Sequence, residues 1–449
     1  MKWSFKKYPM NITGEERVSK ASVIGNLVFL SGLSGIDLKT GKLAAEKFDE
    51  QLISCLNNIR DSLEEVGSSL ENMVKLLILI KDIKHCPDMW MTLMTYYSVH
   101  APELAKKPPA VTVLPVNAFL DERCLVSIDV IAVLSKSKPG WRIKKRPFTY
   151  LRTHHTYPNI KKDVKYASES VAVGNLLFLS GMGGESPRTG RIETKDFETQ
   201  MDIGFDKIRL AFDNAGSSVS NIIKTLHLLA VVDSQLTSSK DVRVSYSPSS
   251  DHLWKRELEH YEIYAPSLLD DFPGSTFLKL PSLEDPSSLV EIDIVGVISL
   301  DEPEWEVKKY PLYLGKRGFP RHIGEIKKYY ANSVVVGNII FISGQTPTDL
   351  FTGRIEADTF EEQMKVALDN LRMTIEETGS SLNNLAKTYM LLPDAKYYPI
   401  MRKMELEYYQ KYAPRLVIEP PASTVINPLN LASPKMMIEI DAIGFLPKH

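Results

Sequence analysis

One unit written three times constrains this chain more than any other feature. Each copy opens on a tryptophan and a basic pair: WSFKKYP from Trp3, WRIKKRP from Trp141 and WEVKKYP from Trp305. A hairpin phrase follows, VIGNLVFLSG (23–32), AVGNLLFLSG (172–181) and VVGNIIFISG (335–344). Then come a Phe-x-x-Gln start (Phe48, Phe197, Phe360), a Gly-Ser-Ser (67–69, 216–218, 379–381) and an Ala-Pro (101–102, 265–266, 413–414). Each copy closes on a strand phrase: VSIDVIAV (126–133), VEIDIVGV (290–297) and IEIDAIGF (438–445). From the hairpin glycine to the Gly-Ser-Ser glycine is 42 residues in every copy, and from the Ala of Ala-Pro to the closing aspartate is 28. The middle copy carries 15 extra residues in a Ser-rich stretch near 234–252, which reads as a surface loop. Units at 1–137, 138–300 and 301–449 follow.

Periodicity sets the elements. Gly-Asn between two β-rich runs predicts a two-residue hairpin turn. Phe360, Met364, Ala367, Leu368, Leu371 and Ile375 recur at helical spacing, and Gly379 reads as the cap that ends that helix. Strands led by Lys75, Lys224 and Lys387 come next, then a second helix running up to each Ala-Pro, then two more strands. The sum is an α+β unit, a mixed six-stranded sheet with two helices on one face. Such a sheet leaves its other face bare. Three copies in one chain can cover those faces around a pseudo-threefold axis, as an internal pseudo-trimer in a monomeric chain.

Composition narrows the class. Lys+Arg number 54 and Asp+Glu 56, for a net charge of -2, so no basic footprint for nucleic acid is expected. Three cysteines, Cys55, Cys86 and Cys124, give neither a disulfide framework nor a zinc motif. No apolar run approaches the ~20 residues of a membrane span. The expectation is a cytoplasmic protein with a small-molecule ligand, no metal and no cofactor. His154 and His155 read as a solvated linker pair.

The hairpin phrase, the Phe-x-x-Gln helix, the Gly-Ser-Ser stretch and the closing E-I-D-A-I resemble the YjgF/RidA family, the reactive intermediate deaminases or endoribonuclease L-PSP-like proteins. The third unit, with SGQTPTDLFTG (343–353), is the most similar. The resemblance implies a chorismate-mutase-like fold, trimeric packing and ligand clefts between units. It also implies hydrolysis of a small imine, enamine or amide. In the family an arginine holds the substrate carboxylate and a closing-strand acid positions water. The register puts Pro109, Gly274 and Pro421 at the arginine site, which argues against the standard 2-imino acid reaction. The closing-strand acids are read as Asp129, Asp293 and Asp441, in the catalytic role. Tyr330, Ser343, Gly344, Gln345 and Glu439 are the candidate substrate-binding residues of unit three, with Ser180 and Ser31 as their counterparts to Ser343. On this reading Asp441→Asn removes function and spares the fold, and Asp129 matters less. Matched Ser/Lys pairs (Ser31/Lys75, Ser180/Lys224, Ser343/Lys387) offer a rival nucleophile–base arrangement. The alternative to an enzyme is a small-molecule-binding or scaffold protein that has lost deaminase chemistry.

Overall fold

The computed structural model describes residues 3–10, 18–38, 40–135, 141–231, 250–312 and 330–447. Most of the Ser-rich insertion therefore lies outside the described residues. Each unit repeats one order of elements. An opening strand (Phe5–Pro9, Ile143–Pro147, Val307–Pro311) precedes a hairpin whose first strand is Ser19–Ile24, Ser168–Val173 or Ala331–Val336. A long helix follows (Phe48–Glu65, Phe197–Ala215, Phe360–Glu377), then the lysine-led strand (Met73–Ile80, Ile222–Ala230, Leu385–Leu391). A second helix (Cys86–His100, Ser250–Tyr264, Tyr398–Tyr412) leads to an edge strand (Ala110–Pro115, Gly274–Leu280, Ala422–Ile426). The closing strand (Val126–Val133, Val290–Val297, Glu439–Phe445) returns to the middle of the sheet, between hairpin and lysine strand. No helix among the described residues is long and apolar enough to cross a membrane.

The repeated phrases explain these elements locally. Gly25, Gly174 and Gly337 take φ of 59°, 57° and 61°, and the following asparagine does not, which is the pattern of a turn with glycine first. The Phe-x-x-Gln glutamine is a tie. Gln51 donates to Ala45 O (3.1 Å) and Arg123 O (2.9 Å) and accepts from Leu125 N (2.9 Å). Gln200 and Gln363 do the same, so each long helix is pinned to the loop before its closing strand. The first serine of Gly-Ser-Ser bonds the end of that strand: Ser68 to Val133 O, Ser217 to Val297 O and Ser380 to Phe445 O.

The sequence reading has three separate sheets meeting by their bare faces. The structure also joins them edge to edge. Each edge strand meets the first hairpin strand of the next unit in parallel sense at one residue pair, with Ala110 beside Ser168, Gly274 beside Ala331 and Ala422 beside Ser19. The last of these pairs unit three with unit one, so the ring closes as a 15-strand barrel of five strands per unit, each opening strand pairing, among the described residues, only with its hairpin strand. Closure satisfies backbone groups that an open edge would leave unpaired. Helices coat the outside, and the former bare faces line the inside.

That interior has three layers. At one end Trp3, Trp141 and Trp305 meet edge to face, with ring centroids 5.0, 5.0 and 4.9 Å apart. The opening tryptophan of each unit is thus an axial plug, and Gly25 and Gly337 lie so close to it that a side chain at either would clash. The other end is aliphatic, with Leu79, Leu114, Leu228, Leu278, Leu391 and Ile426. Between them lies a belt of lysine and aspartate. Trp141→Ala removes a fully buried indole, and a cost of about 3–5 kcal/mol is expected from denaturant titration.

Candidate functional site

The three junctions between units share one plan. The lysine of each unit reaches across the junction to the closing-strand aspartate of the next. Lys224 Nζ lies 2.7 Å from Asp441, and Lys75 with Asp293 and Lys387 with Asp129 form equivalent pairs. Thr276, Thr112 and Thr424 donate to the same aspartates. Each lysine also donates to that threonine and to a main-chain carbonyl of the next unit (Ile342, Leu179 or Leu30). All three protons of each ammonium are thereby used. Burial lowers the three lysine pKa values, and the paired aspartates oppose the shift. The three aspartates, with Lys75, Lys224 and Tyr389, line an axial cavity of about 90 Å³.

The serines Ser31, Ser180 and Ser343 are also junction pieces. Ser343 Oγ donates to Ala331 O (2.6 Å) and accepts from Ser275 N (2.8 Å), and the other two repeat this across their own junctions. The lysines bond carbonyls of the residues before these serines, not the hydroxyls. Gln345 is spent within unit three. Its amide nitrogen donates to Asn332 Oδ1 and Ser343 O, and its oxygen accepts from Thr374.

Glu439 differs from all of these. It stands two residues before Asp441 on the same strand face, 3% exposed, and its Oε2 has no hydrogen-bond partner. Burial, then the neighbouring Asp441, pushes its pKa up to about 8, with Lys224 in partial opposition. Gly344 packs so tightly on this carboxylate that any side chain there would run into it. Tyr330 lies nearby, its phenol raised to about 12 by burial and then by Glu439. Unit two supplies the facing wall: the Trp254 ring stacks on Tyr330 at 6.1 Å and 27°. The junction between units two and three, the second, thus gathers Tyr330, Gly344, Glu439 and Trp254. Asp441 lies behind them in its ion pair.

The other clefts are built differently. In the first, between units one and two, the linker packs inside. Arg152 donates to Gly181 O (2.7 Å), pairs with Glu185 and sits over the Phe148 ring. His154 packs against Trp90 at 4.7 Å. His154 and His155 are 4% and 6% exposed, which corrects their reading as solvated, and burial drives the His154 pKa well down. Glu291, the counterpart of Glu439, is raised to about 8 by burial. In the third cleft, between units three and one, Ser127 replaces that acid, and Arg402 donates to Ser423 Oγ (3.0 Å). Its Nε is buried without a partner.

Motif words miss these last residues, yet an offset finds them. Trp90, Trp254 and Arg402 each stand 11 residues before the Ala of Ala-Pro. They occupy one helical position that faces each cleft, but the residue type changes, so no shared phrase marks it. Among the described residues no cluster of three or more His, Cys, Asp or Glu side chains could hold a metal ion.

The Endoribonuclease L-PSP family model matches residues 11–134, 158–298 and 321–445, and the chain belongs to this family, as three tandem units. A RutC family protein of Aquifex aeolicus is 38% identical over 119 residues, 26% of this chain and 86% of that protein. One from Pyrococcus abyssi is 31% identical over 127 residues, 28% of this chain and 90% of its own length. The mouse protein named 2-iminobutanoate/2-iminopropanoate deaminase is 32% identical over 85 residues, 19% of this chain and 63% of that protein. Among solved structures, a chorismatase is 11% identical with a TM-score of 0.48, covering 83% of this chain and 93% of its own.

Proposed function

We propose that the chain is a RidA-like hydrolase that takes a small imine, enamine or amide in the cleft between units two and three. The single observation that carries this is the Glu439 carboxyl, buried, with a free oxygen and neutral up to about pH 8. A carboxyl of that kind can give a proton to the nitrogen of an imine and take one from the attacking water. Water adds to the carbon, the C–N bond breaks, and a carbonyl compound and ammonia leave. Tyr330 and Trp254 form apolar walls around a small substrate. The catalytic role thus moves from Asp441, committed to Lys224, to Glu439.

The substrate class follows from what faces Glu439. No guanidinium stands on the edge strand Gly274–Leu280, where the register puts Gly274 at the arginine site. A carboxylate-bearing imino acid would find no bidentate fork there. Neutral imines, enamines or amides suit the cleft better. Ammonia release from a panel of neutral imines and 2-imino acids tests this, with turnover expected on the neutral compounds. Efficient turnover confined to 2-imino acids would overturn it.

A second reading, binding without chemistry, fits the third cleft. There Ser127 replaces the acid, and Arg402, paired with Glu405 at 2.6 Å, keeps a buried Nε that could still donate to a bound anion. The working form is proposed to be one chain acting as an internal pseudo-trimer. Sedimentation should give the chain mass of 50.6 kDa, and a stable species of three chains would contradict it.

A further inference from the structure

The second cleft holds a group of side chains that the imine reading leaves unused. Ser275 Oγ lies 3.1 Å from Nδ1 of His227, and Nε2 of His227 lies 3.1 Å from Glu257 Oε1. Tyr261 donates to the same Glu257 oxygen at 2.7 Å. The ring is edge-on to Trp254, with centroids 4.9 Å apart, and Trp254 in turn faces Tyr330. Serine, histidine and glutamate come from the edge strand, the lysine strand and the second helix of unit two, and none is more than 5% exposed.

The other units show that the fold does not need this group. At the same register, unit one has Val111, Ile78 and Leu93, all apolar. Its Tyr97, the counterpart of Tyr261, has a buried hydroxyl with no partner where the acid is gone. Unit three keeps serine and acid as Ser423 and Glu405, with Met390 at the histidine position. Only unit two has all three. A buried polar group costs free energy unless it is paired, so an apolar core position is the ordinary solution.

The hydrogen bonds set the proton positions. Glu257 accepts from Tyr261, so it serves as the acceptor for Nε2–H. Nδ1 is then the lone-pair nitrogen, and it faces the Ser275 hydroxyl. This is the relation of nucleophile, base and orienting acid used in acyl transfer, with the two ring nitrogens exchanged.

We propose that Ser275 is an acyl-accepting nucleophile, with His227 as its base and Glu257 as the positioning residue, for small esters or amides with a short acyl group. The proposal shares the cleft of the imine reading but rests on different side chains. Ser275 Oγ bonds the carbonyl carbon and its proton passes to Nδ1 of His227. Collapse breaks the bond to the leaving alcohol or amine, which takes that proton. Water then attacks the acyl-serine ester, again giving a proton to Nδ1. The second collapse returns the proton to Ser275 Oγ and frees the carboxylic acid.

The test uses the full chain with p-nitrophenyl acetate and a small fluorophosphonate, read by burst kinetics and by peptide mapping of the adduct. One adduct per chain on Ser275 is expected, absent in Ser275→Ala. His227→Gln and Glu257→Gln should slow its formation about 100-fold. Glu257→Asp should recover part of the rate, a rescue that a purely structural role would not give. No adduct on Ser275 in the parent overturns the proposal, even if a variant fails to fold. So does an unchanged labelling rate in folded His227→Gln. Ammonia release is scored separately, so the imine reading and this one can fail independently.

Discussion

Asp129→Asn is expected to destabilise the chain by about 3–5 kcal/mol at neutral pH, the usual cost of stripping a buried ion of its partner. The Lys387–Asp129 pair is 0% and 2% exposed at its side chains, the most enclosed of the three. Asp129 also accepts from Thr424 and from Tyr389 Oη at 3.2 Å, whereas units one and two place Leu77 and Leu226 where Tyr389 stands. Removing the carboxylate leaves the Lys387 ammonium buried with only neutral acceptors. Burial already lowers its pKa, and Asp129 is what opposes that shift. In the variant, then, the folded chain holds this proton less tightly than the unfolded chain does. Stability of Asp129→Asn should therefore rise with pH as Lys387 sheds its proton, and the deficit should narrow toward pH 10. Asp129→Leu combined with Lys387→Met should recover most of the loss, because an apolar pair carries no desolvation cost. Urea titrations at pH 7 and pH 9.5 check both statements. The belt is thus a structural element, and Asp441→Asn is also expected to cost stability, contrary to the sequence reading.

The second large effect falls on chemistry. Glu439→Gln should lower turnover of a neutral imine about 10²–10⁴-fold, the usual contribution of a positioned general acid or base. The amide nearly matches the carboxyl in volume but cannot move a proton. Stability should change in the other direction. The Glu439 pKa is about 8 in the folded chain and near the ordinary 4.5 when unfolded. The folded state therefore binds the extra proton, and this group's contribution is full below about pH 4.5 and is lost as pH rises to about 8. Glutamine escapes that loss. Above pH 8 the variant should be the more stable by on the order of 1–3 kcal/mol, the cost of an unsatisfied buried group. Thermal melts of parent and variant at pH 5 and pH 9 should show the gap only at pH 9. A stability gain joined to a loss of turnover is expected of a functional, not a structural, buried acid.

Much of the fold was legible because its signals are local. The hairpin glycines, the Phe-x-x-Gln helix starts and the Gly-Ser-Ser caps act within one unit and recur word for word. Barrel closure was not legible in the same way. It rests on main-chain pairing between Ala422 and Ser19, which leaves no mark in side-chain pattern. The site was legible only in outline. Glu439 and Asp441 share a strand face, and nothing in the local sequence says which meets a cation and which keeps a buried oxygen without a hydrogen-bond partner. Lys224 of the preceding unit decides that, through a contact between distant parts of the chain. Arg152 and Arg402 were missed for a related reason. They come from a linker and a helix, not from the strand where the family carries its arginine.

The central claim is that the chain keeps one working cleft, between units two and three, built on Glu439. Crystals soaked with a small neutral amide would test it most directly. The expected result is one molecule per chain, with its amide within hydrogen-bond distance of Glu439 Oε2 and its apolar part between Tyr330 and Trp254. Occupancy of the first cleft beside Arg152, with the Glu439 cleft empty, would contradict it.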